Sequence, residues 1–238
     1  MPYSTLKKRK LGQILTDETS TIDEQLLADV IHKIKNGLGG IGGFAALLDR
    51  DLPDDDPGKR LVQRIQDGVI KVNDYVISLM TLARAPDPCY EKVQLSSFIK
   101  SVWLEAQQDD PSGRSQDQLP PHFSDEKFQL KTDPIRLHHF ILHLIRFLRW
   151  FAERIETIKL QREYPGKIQI EFTLIRRAKR PQLPEDLTQL IQSCDSLEAR
   201  LSLAIVCKLA KVAGWSLSHV SLTDMLYIIR VELTERIS

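Results

Sequence analysis

From residue 24 onward the apolar positions fall into a helical heptad rhythm. Leu27, Ile31, Ile34, Leu38, Ile41, Ala45, Leu48 and Leu52 are spaced 4, 3, 4, 3, 4, 3, 4, the seam of a helix that packs on another helix. Leu52-Pro53-Asp54-Asp55-Asp56-Pro57-Gly58 interrupts it. Asp54 to Asp56 offer N-caps and first-turn acids for the next helix. A second seam runs through Val62, Ile65, Val69, Val72, Val76, Leu79 and Ala83, and Pro86 and Pro88 end it. Two long helices and a short turn predict an antiparallel hairpin. A lone hairpin cannot bury two full stripes, so the pattern predicts a homodimer with a four-helix bundle. The alternative is packing against the C-terminal half of the same chain.

The remainder follows a different rhythm. Leu95 to Ala106 reads as a helix, and Gln107 to Phe123, polar with several prolines, as a loop. Phe128 to Lys131 reads as a short strand, and Pro134 to Arg154 as a strongly apolar helix. Lys167 to Ile175 alternates as a half-buried strand does. Leu197 to Ala213 is a further helix, and Trp215–Leu222 and Met225–Leu233 are strands of a hairpin turning at Thr223-Asp224. Helices mixed with mostly antiparallel strands predict an α+β sandwich. The chain therefore divides into a polar tail at 1–22, a helical hairpin at 23–87 and an α/β sandwich at 88–238.

Composition narrows the function classes. The 238 residues carry 33 basic and 32 acidic side chains, a formal net charge of +1. No global field for nucleic acid or membranes follows from that balance. The basic run Lys7-Lys8-Arg9-Lys10 sits in the polar tail and reads as solvated. No apolar stretch spans a bilayer, and no secretory signal is visible. Cys89, Cys194 and Cys207 are scattered, which argues against a disulfide framework or a zinc site and for a reducing cytoplasm.

Of six histidines, His138, His139 and His143 share the apolar helix at 134–154. Their spacing could serve a metal, but no carboxylate or thiol lies nearby in sequence, so they read as packing or surface residues. His122 and His219 have no constellation around them. His32 differs. It follows the seam residue Ile31 and therefore flanks the seam, with Lys35 at i+3 and Asn36 at i+4 on its own face. A neutral imidazole is a competent nucleophile. Lys35 and Asn36 suit orienting it or touching phosphoryl oxygens.

Residues 32–48, His-Lys-Ile-Lys-Asn-Gly-Leu-Gly-Gly-Ile-Gly-Gly-Phe-Ala-Ala-Leu-Leu, closely resemble the phosphoacceptor box of the sensor histidine kinases. That box reads H-E-x-K/R-N-P-L, then I-x-G-F-A-x-L-L. Leu82-Ala83-Arg84 resembles the end of the family's second bundle helix, and Val93 to Ile99 the link into its ATP-binding domain. The resemblance implies that His32 is the phosphorylated residue and that Asn36 is the family's polar residue one turn on. Lys33 stands where the family has Glu or Asp, its acid–base partner in autophosphorylation, and Gly37 replaces the usual proline.

The ATP side departs further. Lys131 to Leu148 resembles the N-box helix, with His143 and Phe147 aligned to its two asparagines. Phe cannot coordinate Mg2+, which takes oxygen ligands. No D-x-G-x-G follows the strand at 167–175. Leu197 to Val206 resembles G-x-G-L-G-L-A-I-V, with Glu198, Arg200 and Ser202 at its glycines. Those glycines let backbone amides approach nucleotide phosphates, and side chains there block that approach.

A kept scaffold with lost ATP chemistry resembles the histidine phosphotransferases built from degenerate kinase folds. These are dimers that relay a phosphoryl group between response-regulator aspartates. The resemblance implies receiver domains as partners, no resident cofactor, and Mg2+ supplied by the receiver. The alternatives are a divergent kinase with ATP-dependent autophosphorylation and a non-catalytic pseudokinase that binds receivers. A competing motif, G-x-G-x-x-G at Gly37, Gly39 and Gly42, lacks the preceding strand of a dinucleotide site. Five glycines between 37 and 43, each costing up to about 1 kcal/mol in a helix, read as thinning the surface below His32 for a partner helix.

Overall fold

The computed structural model describes residues 30–83, 88–108, 121–123, 127–164, 166–184 and 187–235. The polar tail, Leu27 and most of the 107–123 loop lie outside them. The chain divides into two compact units, Met1–Arg84 and Ala85–Ser238.

The first unit is a helical hairpin. Helix α1 spans 30–51 and α2 spans Pro57–Ala83. The start of α2 is fixed by its aspartates. Asp56 Oδ1 accepts the Gly58 amide at 2.6 Å, with Pro57 at the first helical position, where a missing N–H costs nothing. A Cβ on Gly42 would meet Val69 Cγ1 at 3.5 Å, which marks where the two helices touch.

Each sequence seam separates into two sets. Ile31 and Ala45 are buried and Leu38 and Leu52 half-buried, whereas Ile34, Ile41 and Leu48 stay 43%, 50% and 50% exposed. On α2, Val62 and Val76 are buried and Val69 half-buried, while Ile65, Val72 and Leu79 stay 46%, 42% and 41% exposed. A step of three residues turns a side chain back by roughly 60°. One set, seven residues apart, therefore meets the other helix of the hairpin. The alternate set faces out along one open side.

The second unit is a two-layer α/β sandwich. Its elements are β1 (Glu91–Gln94), α3 (Leu95–Gln108), β2 (His122–Phe123), β3 (Gln129–Thr132), α4 (Pro134–Phe151), β4 (Ala152–Tyr164), β5 (Lys167–Arg176), α5 (Leu190–Ser193), α6 (Leu197–Ala213), β6 (Ser216–Ser221) and β7 (Leu226–Thr234). Strands β1 and β3 form a small antiparallel pair, and the main sheet has the order β2-β4-β5-β7-β6. Only β2 and β4 pair in parallel among the described strands.

The core lies between that sheet and α4 and α6. Phe140, Ile141, Leu144, Ile145, Leu148 and Phe151 come from α4, and Leu203 and Val206 from α6. They meet Ile170, Phe172, Leu174, Tyr227, Ile229 and Val231. Each such side chain contributes about 1.5–3 kcal/mol through burial. Asp133 caps α4 by accepting the Ile135 and Arg136 amides at 2.9 and 3.0 Å. Ser196 caps α6, which ends at Gly214 with φ 72°, a left-handed turn suited to glycine.

Three sequence expectations change. The helix expected to Arg154 stops at Phe151, and the chain passes directly into β4, a strand the pattern did not reveal. Register shifts between Ala152/Arg154 and Ile155/Thr157 put buried Ile155 and Ile158 three apart, a helical spacing. His122–Phe123, expected in a loop, forms a two-residue strand against β4. The β6–β7 turn is longer than Thr223-Asp224, because Leu222 donates to the Leu226 carbonyl and Thr223 Oγ1 accepts from Met225 and Leu226.

Candidate functional site

Ile31 turns into the hairpin and is 2% exposed, which leaves the next residue, His32, on the flank of α1 and exposed. Lys33 and Asn36 are also exposed, and Lys35 is half-buried. Helix geometry sets Lys35 and Asn36 one turn beyond His32 on its own face, with Lys33 about 100° away. His32, Asn36, Gly39 and Gly43 follow a 4, 3, 4 spacing down one strip. That strip lies on the side of α1 opposite to Ile34, Ile41 and Leu48. A Cβ placed on Gly37, Gly39, Gly40 or Gly43 would meet no atom within 4 Å, so the surface below His32 is bare backbone. Gly37 to Gly43 are continuous helix, and no strand precedes them among the described residues. That excludes the dinucleotide reading.

In the second unit, the positions aligned with nucleotide motifs are filled. His143 is buried, and its Nδ1 lies 3.3 Å from Ser202 Oγ, so a residue aligned with an N-box asparagine pairs with one aligned with a glycine. Burial, reinforced by Arg146, His139 and His138, pushes the His143 pKa down to about 3 and keeps the ring neutral. Phe147 is 1% exposed, stacks on Phe151 at 6.2 Å and tilts on Trp150 at 5.8 Å. Glu198 and Arg200 are exposed at the start of α6, and Arg200 Nε donates to the Ile191 carbonyl. The turn after β5 carries Arg177 and Arg180 in place of an acid and glycines. This donor set does not suit a magnesium-bound nucleotide, since Mg2+ takes oxygen ligands and phosphates take open backbone amides.

The histidine group on α4 acquires a partner that sequence distance concealed. His138 Nε2 lies 2.7 Å from Glu105 Oε2 on α3, 33 residues away. Burial holds the His139 pKa below its ordinary value, with the neighbouring His138 adding to that effect. No three His, Cys, Asp or Glu side chains come together as a metal site among the described residues. His122 is exposed on β2, and His219 Nε2 donates to the Pro184 carbonyl at 2.7 Å. No described helix is long and apolar enough to cross a membrane.

Sequence reasoning missed Trp150, Arg180 and Asp195. Trp150 Nε1 donates to Asp195 Oδ1 at 2.9 Å, and Arg180 Nη1 reaches both Asp195 carboxylate oxygens at 2.7 Å. No local motif signals this trio, because its members come from three separate segments.

No protein-family model matches the chain. Its fold is that of solved histidine kinases. ShkA, full-length and in complex with AMPPNP, superposes with TM-score 0.70 at 16% identity, over 90% of this chain and 47% of that one. Histidine kinase ThkA in complex with the response regulator TrrA gives 0.56 at 17% identity, over 99% and 68%. The Acinetobacter baumannii histidine kinase AdeS gives 0.55 at 14%, over 88% and 98%. Among curated proteins, the sensor protein kinase PilS of Pseudomonas aeruginosa is 29% identical over 132 residues, or 54% of this chain. The match spans about a quarter (24%) of the length of that relative.

Proposed function

We propose that this chain is a histidine phosphotransfer protein of a two-component phosphorelay, with His32 carrying the phosphoryl group and without ATP-dependent autokinase activity. The observation that carries this reading is the contrast between an exposed His32 and a nucleotide-motif helix whose Phe147 lies in the core. The kinase-like fold and the likeness to PilS support a place in two-component signalling. The fold match to a kinase crystallised with a response regulator supports receiver domains as partners.

In this reading an imidazole nitrogen of His32 attacks the phosphorus of a receiver aspartyl phosphate. The N–P bond forms as the P–O bond to the carboxylate breaks, and the carboxylate leaves with the electron pair. Transfer to a second receiver runs the same step backwards. Positioning and charge stabilisation carry such transfers. Lys35 and Asn36 are the side chains placed to meet phosphoryl oxygens. Lys33 adds positive charge nearby, where an acid–base carboxylate would serve autophosphorylation. The receiver would bring its own Mg2+.

The hairpin and the sandwich are read as separate domains, and the hairpin as half of a dimeric bundle. Ile34, Ile41, Leu48, Ile65, Val72 and Leu79 form its open apolar side. A second copy would cover that side, each large side chain gaining up to about 1.5–3 kcal/mol and counting twice across a two-fold axis. His32 and its glycine strip would then stay free for a receiver helix. The test mixes the protein with a phosphorylated receiver and measures acid-labile label on the chain. Label that persists in His32→Ala contradicts the proposal. Calorimetry with Mg-ATP separates it from the divergent kinase, which requires binding.

A further inference from the structure

Three segments of the second unit that are distant in sequence meet, and their own side chains tie them together. Trp150 belongs to α4, Arg180 follows β5, and Asp195 precedes α6. Arg180 lies with its guanidinium carbon 4.1 Å from the centre of the Trp150 ring, a cation–π stack. Its Nε donates to the Trp150 carbonyl at 3.1 Å and its Nη1 reaches both Asp195 oxygens. Trp150 Nε1 donates to the same carboxylate. Each member of the trio therefore touches the other two.

Neighbouring bonds extend the closure. Arg177 donates through Nε to the Ala152 carbonyl at 2.9 Å, through Nη2 to the Arg149 carbonyl at 3.2 Å, and through its backbone amide to Phe151 at 3.1 Å. The carbonyls at the end of α4, which lack helical partners, are thereby satisfied by arginines from the turn after β5. Arg176 donates to the Arg180 carbonyl, and His219 holds the Pro184 carbonyl. Leu183, Leu187 and Leu190 are buried. An open cleft of about 510 Å3 beside Glu153, Arg177, Lys179 and Arg180 remains, but both arginines spend donors on α4 carbonyls.

We propose that Arg180, Trp150 and Asp195 form a latch that keeps the turn after β5 and the lead into α6 docked on α4 without any ligand. The inference rests on the nucleotide-independent reading above and deepens it, since it names what occupies that face of α4. An isolated exposed ion pair contributes little. This one is coupled to an aromatic stack and to a shared carboxylate, so loss of one member removes two of the three contacts that join the segments.

Hydrogen–deuterium exchange on the full chain tests the latch. In the wild type, amides in 177–184 and 187–195 exchange slowly without nucleotide. In Arg180→Ala and in the milder Asp195→Asn, those segments exchange at least tenfold faster, while β5 and β7 keep wild-type protection and report an intact core. Wild-type exchange in both variants overturns the latch, as does fast exchange in the wild type that Mg-ATP slows. Phosphotransfer to His32, measured on the same samples, tests the functional reading separately and does not depend on the latch.

Discussion

The hairpin and the sandwich use their apolar residues in opposite ways. In the sandwich, Phe140, Phe147, Phe151, Phe172 and Tyr227 are all 2% exposed or less. In the hairpin, Phe44 is 75% exposed and Leu61 62%, and the alternate seam positions stay open on both helices. A sandwich completes its core within one chain, whereas a two-helix hairpin has no third layer. The polar chemistry is reversed too. His32, on the hairpin, faces outward with Asn36 on the same strip. His143, in the sandwich, is buried and bonded to Ser202. The hairpin leaves its groups exposed, and the sandwich spends them on itself.

The largest effect expected from breaking this contrast is at His32. His32→Ala removes the nucleophile, and label accepted from a phosphorylated receiver should fall at least about 100-fold, as a lost covalent intermediate requires. Circular dichroism should stay unchanged, because the side chain is exposed.

Next comes the open apolar side. Ile41→Lys puts a charge in the middle of the stripe, and analytical ultracentrifugation should show a dimer becoming a monomer, with association weakened by about 100-fold or more. The estimate follows from two lost burials of about 1.5–3 kcal/mol each. A wild-type protein that sediments as a monomer at micromolar concentration contradicts the bundle.

In the sandwich, Phe147→Ala should cost about 3–5 kcal/mol of unfolding free energy in urea titrations. An aromatic that lined a ligand cleft rather than the core would cost far less.

Acid should weaken the same region. The folded-state pKa of His143 is about 3, below the ordinary value of 6.5, and His139 shifts in the same direction. Between those pH values the unfolded chain binds more protons, so stability rises with pH there. It is fully present above about pH 6.5 and declines as pH falls toward 3. His143→Asn, which stays neutral, should flatten the decline in melting temperature over that window. The smallest effect is at Gly43→Ala, which enters open space. It should stabilise α1 by up to about 1 kcal/mol while reducing receiver phosphotransfer a few-fold.

Legibility in the sequence followed the range of the interactions. The two seams and the Asp-Pro turn were legible because helix period and capping are local, and α6 appeared with both ends in place. The division of each seam into inward and open sets was not legible, since period alone does not say which neighbour a helix has. Strand β4 was hidden by its own register shifts, which put Ile155 and Ile158 at a helical spacing. At the candidate site, His32, Lys33, Lys35 and Asn36 lie within one turn and a half of helix, so their grouping could be read from local spacing alone. Glu105 beside His138, Ser202 beside His143, and the Arg180–Asp195 pair join residues 33, 59 and 15 positions apart. No pattern in the chain announces such pairs before folding.

The most direct test of the central claim offers the protein its two phosphate sources side by side. The full chain is incubated with γ-labelled Mg-ATP alone, and separately with a phosphorylated receiver domain, and the acid-labile label is mapped. The account predicts label from the receiver only, on His32, absent in His32→Ala. Label on His32 from Mg-ATP alone would contradict it.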